Sequence, residues 1–330
     1  MNYRMIGIIS AIVFMIAAPT VAGIILGGQA SADDNGFLDK SELVKGEVSV
    51  YITSTGEKVT LDAEEYLIGV MLSEIPCSYE PECLKALAVV LRSLFVRRLS
   101  DREKLVEHFS ADFCDDPKHC WGYISVKDAS LRWGAESADV YYKTIEQAVS
   151  ETKGEILLYN QEAADAIYHH SSNKTTESAE ELWGIKVPYL TAVDTPEYVE
   201  VQKYVFNVQD FKARKEAAVP YTQFSDTPEN WIEAFEKNEN GRVSYIVLGG
   251  RILTGMRVKE IFGLPSACFE LKYENDSFTF EVLGVGNGVG LSCEGANAFA
   301  RSGKNYKDIL AHYYVGTKIG LYSAEYFYSC

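Results

Sequence analysis

Apolar and polar positions follow several distinct periods along this chain. Residues 5–28 (MIGIISAIVFMIAAPTVAGIILGG) carry no charge and are long enough to cross a bilayer as a helix. From Leu61 the spacing turns helical. Asp62 is placed to cap a helix, with Glu65 three residues on and Leu61 and Tyr66 at the flanking apolar positions. Leu67, Val70, Met71 and Glu74 recur at i, i+3, i+4 and i+7 on one stripe, and Pro76 ends it. A second helix opens at Pro81 and runs through LKALAVVLRSLFVRRL without a breaker. Leu84, Leu87, Ala88, Leu91 and Phe95 form its core stripe. Lys85, Val89, Arg92 and Val96 share the neighbouring face, which sets two cations two turns, about 10 Å, apart.

Around these helices, EVSVYITSTGEKVTLDAEEY reads as a strand pair turning at Ser54-Thr55-Gly56. Residues 139–152 read as a helix. GEILLYN and AADAIYHHSS read as a hairpin whose end delivers His169 and His170. Between 198 and 240 the character is mixed helical, with amphipathic stretches around Val208–Ala217 and Glu229–Lys237. RVSYIVLGGRIL and SFTFEVLGVG are strand-like and flank a short helix near Met256–Phe262. GANAFARSGKNYKDILAHYY divides into two short helices at Ser302-Gly303. Helices and strands interleave without a βαβ repeat, which predicts an α+β fold. At 330 residues the chain can hold one large domain or two lobes.

Composition narrows the function classes. Hydrophobic residues make up 47% of the chain, which excludes a disordered protein. A net charge of -16 argues against nucleic acid as a partner and against capture of an anionic surface by bulk charge. Binding of an acidic polymer would then rest on local cations and on stacking, for which 21 Tyr are available. Arg4 is the one cation before the apolar run, and Asp33, Asp34 and Asp39 follow it. That asymmetry predicts a single-pass anchor at 1–28 with a cytoplasmic N-terminus, a polar tether at 29–46 and an extracytoplasmic domain at 47–330. The rival is a cleaved signal peptide with a small-residue site at Ala30-Ser31-Ala32.

Several groups of residues are candidates for chemistry. A carboxyl on an apolar stripe sheds hydration, which suits Glu74 to general-acid work. The same position also fits a Glu at the stripe's edge that reaches water or pairs with an arginine. His108, Cys114, His119 and Cys120 fall close together in a loop-like segment and form the donor set zinc prefers. Adjacent side chains tend to diverge, so three protein ligands plus water fit as well as four. A Cys114–Cys120 disulfide is the alternative in an exported chain. Cys77 and Cys83 flank the turn between the two helices, either bonded or as free thiols. His169, His170 and Ser172, with Asp194 downstream, lack the elbow of a serine hydrolase and read as polar cleft residues. The alternating Gly284, Gly286, Gly288 and Gly290 do not match a phosphate loop and read as tight turns and close packing.

EEYLIGVMLSEIP followed by ECLKALAVVLRS resembles the core motif of the stage II sporulation protein D family. Three more blocks follow in the family's order: HFSADFCDDPKHCWGYIS at 108–125, YHHSSNKTTESAEELWGIKVPYL at 168–190, and GVGNGVGLSCEGANAFARSGKNYKDILAHYY at 284–314. The resemblance spans roughly residues 48 to 315. It implies a membrane-anchored lytic transglycosylase with a two-lobed catalytic domain in the intermembrane space of the sporangium, cutting peptidoglycan during forespore engulfment. Glu74 would be the acid/base. Lys85, Arg92 and Tyr189 fall on family positions that line the substrate cleft, and Ser93, His170 and Ser172 are expected beside them. The block holding His108, Cys114, His119 and Cys120 matches a zinc site of some members. The implied partners are glycan strands, a sporulation amidase and other engulfment membrane proteins. The chain departs from the family pattern at Leu87, Ser93, Asn173-Lys174, Asn287 and Cys293. A zinc-dependent wall amidase or peptidase and an inactive glycan-binding scaffold are the rival readings.

Overall fold

The computed structural model describes residues 46–100 and 111–322. It opens on an antiparallel hairpin, β1 (Glu47–Ile52) and β2 (Glu57–Asp62), that runs directly into α1 (Ala63–Glu74). The Asp62 carboxylate accepts the amides of Glu64 and Glu65 at 2.8 and 3.2 Å, so the cap read from the sequence starts the helix. Then follow α2 (Pro81–Ser100) and β3 (Phe113–Cys114), which pairs in parallel with β1. Next come α3 (Val126–Trp133), α4 (Ala135–Glu151), β4 (Glu155–Tyr159), β5 (Glu162–Ala163), β6 (Tyr168–His169) and α5 (Ala179–Trp183). A second group comprises β7 (Gln202–Asn207), α6 (Val208–Ala218), β8 (Ile232–Lys237), β9 (Val243–Leu248), β10 (Arg251–Leu253), α7 (Gly255–Phe262), β11 (Phe269–Glu274) and β12 (Ser277–Val282). The chain closes with β13 (Leu291–Ser292), α8 (Cys293–Arg301), α9 (Tyr306–Tyr313) and β14 (Lys318–Leu321). The mixture is α+β, as the pattern predicts.

Two buried apolar clusters organise these elements. The first gathers α1 and α2 with Ile145 and Val149 of α4, Ile156 and Leu157 of β4, and Tyr313 and Tyr314 after the chain's return. The second is aromatic: Phe211 lies 3.9 Å from Phe278 and 4.6 Å from Phe262, ring centre to ring centre, between the sheets β10-β9-β8 and β11-β12-β7. A buried polar joint connects them. Arg242 donates to Ser172 Oγ at 3.0 Å and to the Thr175 carbonyl at 3.2 Å, while Glu177 accepts from Asn238 and Asn240 at 2.7 and 2.6 Å. Gly288, at φ +89°, lets the backbone pass this joint, because a Cβ there would sit 2.3 Å from Arg242 Nη2.

Two local expectations change. β4 turns back through Asn160-Gln161 onto β5 and pairs on its other edge with β14, so no hairpin carries His169; it lies on β6, parallel to β13. The stretch Glu229–Lys237 is a short 3-10 turn (Pro228–Asn230) followed by strand β8, because its alternating side chains pair with β9. Among the described residues no helix is long and apolar enough to cross a membrane; the expected anchor at 1–28 and all but the last residue of the tether at 29–46 lie outside them.

Candidate active site and metal centre

The apolar stripe of α1 ends one turn earlier than its periodicity implies. Leu67, Val70 and Met71 are buried, but Glu74 is the last helical residue and is exposed, and the chain leaves in extended geometry at Ile75. The expectation of a desolvated carboxyl is therefore corrected: Glu74 faces outward at a helix end. One oxygen is held. Glu74 Oε1 accepts the Gly122 amide at 2.7 Å, across a chain separation that no local pattern reveals. A side chain at 122 would collide there, since a Cβ would lie 2.5 Å from Ser73 Oγ and 2.8 Å from Glu74 Oε1.

Several groups gather around this carboxylate. Burial, and next the charge of Glu74, hold the Tyr168 phenol well above its ordinary range. The buried Cys293 thiol is pushed up by burial and then by the charges of Glu294, Glu197 and Glu74. Glu294 accepts the Tyr79 hydroxyl at 2.7 Å, and the exposed His170 brings Nε2 to 3.9 Å from it. Gly122, Tyr79 and Glu294 were not foreseen. The one sequence signal for Glu294 is its place directly after a glycine block and the helix-capping Ser292.

The other expected cleft residues are engaged in contacts within the protein. Lys85 is bound between Glu82 and Glu151 at 2.7 and 2.6 Å. Arg92 is 3% exposed and clamps both oxygens of Glu64 at 2.7 Å, while also donating to the carbonyls of Glu155 and Val149. Glu64 lies in the first turn of α1 and Glu74 in its last, about 15 Å away by helix rise. Ser93 is fully buried, donating to the Val89 carbonyl and accepting the Leu157 amide. Arg92 and Ser93 thus join α2 to α1, α4 and β4 rather than face Glu74. The Tyr189 hydroxyl accepts the Asp165 amide at 2.9 Å. Ser172 is buried between His169 Nε2 at 2.6 Å and Arg242, and burial drives His169 down to about 3. Asp194 offers its carbonyl to His312, so no triad assembles.

The loop before Gly122 carries the metal-type donors. His119 and Cys120 both donate their amides to the Asp116 carbonyl, at 3.0 and 2.9 Å, and this tight turn overcomes the divergence expected of adjacent side chains. Cys114 Sγ and Cys120 Sγ lie 3.6 and 3.9 Å from His119 Nδ1, and all three donor atoms fall within 4.8 Å of one another. That spacing suits one ion with bonds of about 2.0–2.3 Å, so a Cys₂His set fits zinc. His108 lies outside the described residues. No disulfide joins Cys114 to Cys120 or Cys77 to Cys83; Cys83 contacts the Cys293 carbonyl and Cys77 that of Ile75.

Comparison with known proteins places this architecture. The family model described as stage II sporulation protein matches residues 51–159, the segment from β1 to β4 that carries Glu74 and the metal-type loop. Stage II sporulation protein D of Bacillus subtilis (strain 168) is 35% identical over 277 residues, covering 82% of this chain and 78% of that protein. Its counterpart in Bacillus amyloliquefaciens is 34% identical over 276 residues, with the same coverage of 82% and 78%. The amidase enhancer of Bacillus subtilis (strain 168) is 23% identical over 308 residues, covering 78% of this chain and 40% of that protein. The chain belongs to the stage II sporulation protein D family.

Proposed function

We propose that this protein is a lytic transglycosylase that cuts the β-1,4 bond between N-acetylmuramic acid and N-acetylglucosamine during forespore engulfment. The observation that carries the reading is Glu74: exposed at the end of α1, with one oxygen oriented by the Gly122 amide. Protonated Glu74 gives its proton to the leaving glycosidic oxygen as the C1–O bond breaks. As a carboxylate it then takes the proton of the muramyl 6-hydroxyl, whose oxygen bonds to C1. The product is a 1,6-anhydro end, and Glu74 is protonated again. This sequence uses one carboxyl, unlike the separated pair of ordinary glycosidases.

Tyr168 and His170 would contact the sugars beside Glu74. Cys114, His119 and Cys120 would hold a zinc ion, which would clamp the loop ending at Gly122. Residues 1–28 would anchor the chain in the membrane, with 47–330 outside the cytoplasm. A sporulation amidase and other engulfment membrane proteins would act beside it, a reading supported by the amidase enhancer among its relatives. Digestion of peptide-free glycan strands tests the assignment. Wild type should release anhydro-ended fragments by mass spectrometry, and Glu74→Gln should release none while keeping the native circular dichroism. Anhydro products from the variant would exclude Glu74 as the acid.

A further inference from the structure

Tyr66 is one of the largest fully buried side chains in the protein, and its hydroxyl has no hydrogen-bond partner among the described residues. An unsatisfied buried hydroxyl costs about 1–3 kcal/mol, and phenylalanine would fill the same space without that cost. The surroundings indicate what the oxygen is for. The Tyr66 ring stacks on Phe113 at 5.0 Å and 14°, and Phe113 immediately precedes Cys114. It packs at 5.1 Å on Phe95, which also meets Trp121 at 4.9 Å, the residue immediately after Cys120. Phe113 directly, and Trp121 through Phe95, thus tie the phenol to the two stretches that carry Cys114 and Cys120, and after burial the charges of Cys120 and Cys114 act most strongly on it.

We infer that the Tyr66 hydroxyl belongs to the metal centre, donating a hydrogen bond to a metal-bound cysteine sulfur of the Cys114–His119–Cys120 set. A thiolate on a cation is a far better acceptor than a neutral thiol, so the orphaned donor gains its partner only when the site is loaded. Such outer hydrogen bonds orient ligands and tune affinity. The inference rests on the zinc reading above and adds to it a residue outside the Cys114–His119–Cys120 donor set. It also links the centre to α1, the helix that ends at Glu74.

The test is Tyr66→Phe in the full-length chain, with zinc alone as the probe. Competition against a chromogenic chelator should show zinc affinity lowered about tenfold or more. In excess chelator the variant should melt at the same temperature as wild type or higher, because it no longer buries an unpaired hydroxyl; with zinc it should melt lower. A purely packing role for the ring would move both melting temperatures together. Unchanged zinc affinity in Tyr66→Phe, with wild type binding one zinc per chain, overturns the role of Tyr66 and leaves the metal reading standing. Failure of wild type to bind zinc overturns both.

Discussion

Replacing Gly122 by alanine sets a methyl carbon 2.8 Å from Glu74 Oε1 and 2.5 Å from Ser73 Oγ, where ordinary contact begins at 3.4 Å. The carboxylate oxygen must therefore retreat by about 0.6 Å, and the 2.7 Å bond from the Gly122 amide lengthens with it. Gly122 is not among the positive-φ glycines, so alanine brings no backbone strain. Both clashing atoms are ends of flexible side chains, and the stability cost should stay below about 1 kcal/mol. Catalysis is less forgiving, since a misplacement near 1 Å can cost about a hundredfold. A displacement of this size should lower the release of anhydro-ended fragments about tenfold, read by mass spectrometry of timed digests. Turnover equal to wild type would refute the claim that this amide positions Glu74. A large drop in melting temperature would refute the claim that the clash relaxes locally.

The Arg92 clamp separates structural from substrate-binding cations. Arg92→Ala leaves Glu64 partly buried without its partner and should destabilise the fold by about 3–5 kcal/mol in chemical denaturation, whereas a cleft arginine would lose activity at unchanged stability. Lys215 is fully buried, donates to Thr222 at 2.9 Å, and burial lowers it to about 8. The unfolded chain holds that proton up to about 10.4. Between these values the unfolded state binds more protons, so wild-type stability should rise with pH across the window. Lys215→Met should lack that rise and be the more stable protein at pH 7 in paired denaturation curves, and an identical pH slope in the two would sink the assignment.

Features set by neighbouring residues were legible in the chain. The Asp62 cap, the opening of α2 at Pro81 and the two closing helices rest on local periodicity and capping, which operate over one or two turns. The metal-type loop was legible as a donor set. Its success as a geometry depended on the Asp116 turn, which aims His119 and Cys120 together. The β8 segment was misread because an alternation of apolar and polar residues over so few positions also fits an amphipathic helix, and only pairing with β9 decides between them.

Helical spacing put Glu74 on the apolar stripe of α1 and Lys85 and Arg92 on one face of α2, but Glu74 at the helix end is exposed while Arg92 is buried. What packs against each face is a long-range matter that spacing does not encode. Glu74 meets Gly122 across 48 positions, Arg92 meets Glu64 across 28, and Tyr79 meets Glu294 across 215. The sequence by itself determined the helices, the donor set, the charge balance and, through four ordered blocks, the family. The tertiary structure decided that Glu74 is solvent-facing and held by a backbone amide. It also turned Arg92 into an internal clamp, since a buried guanidinium needs its charge and donors matched, and Glu64 with two carbonyls supplies that match.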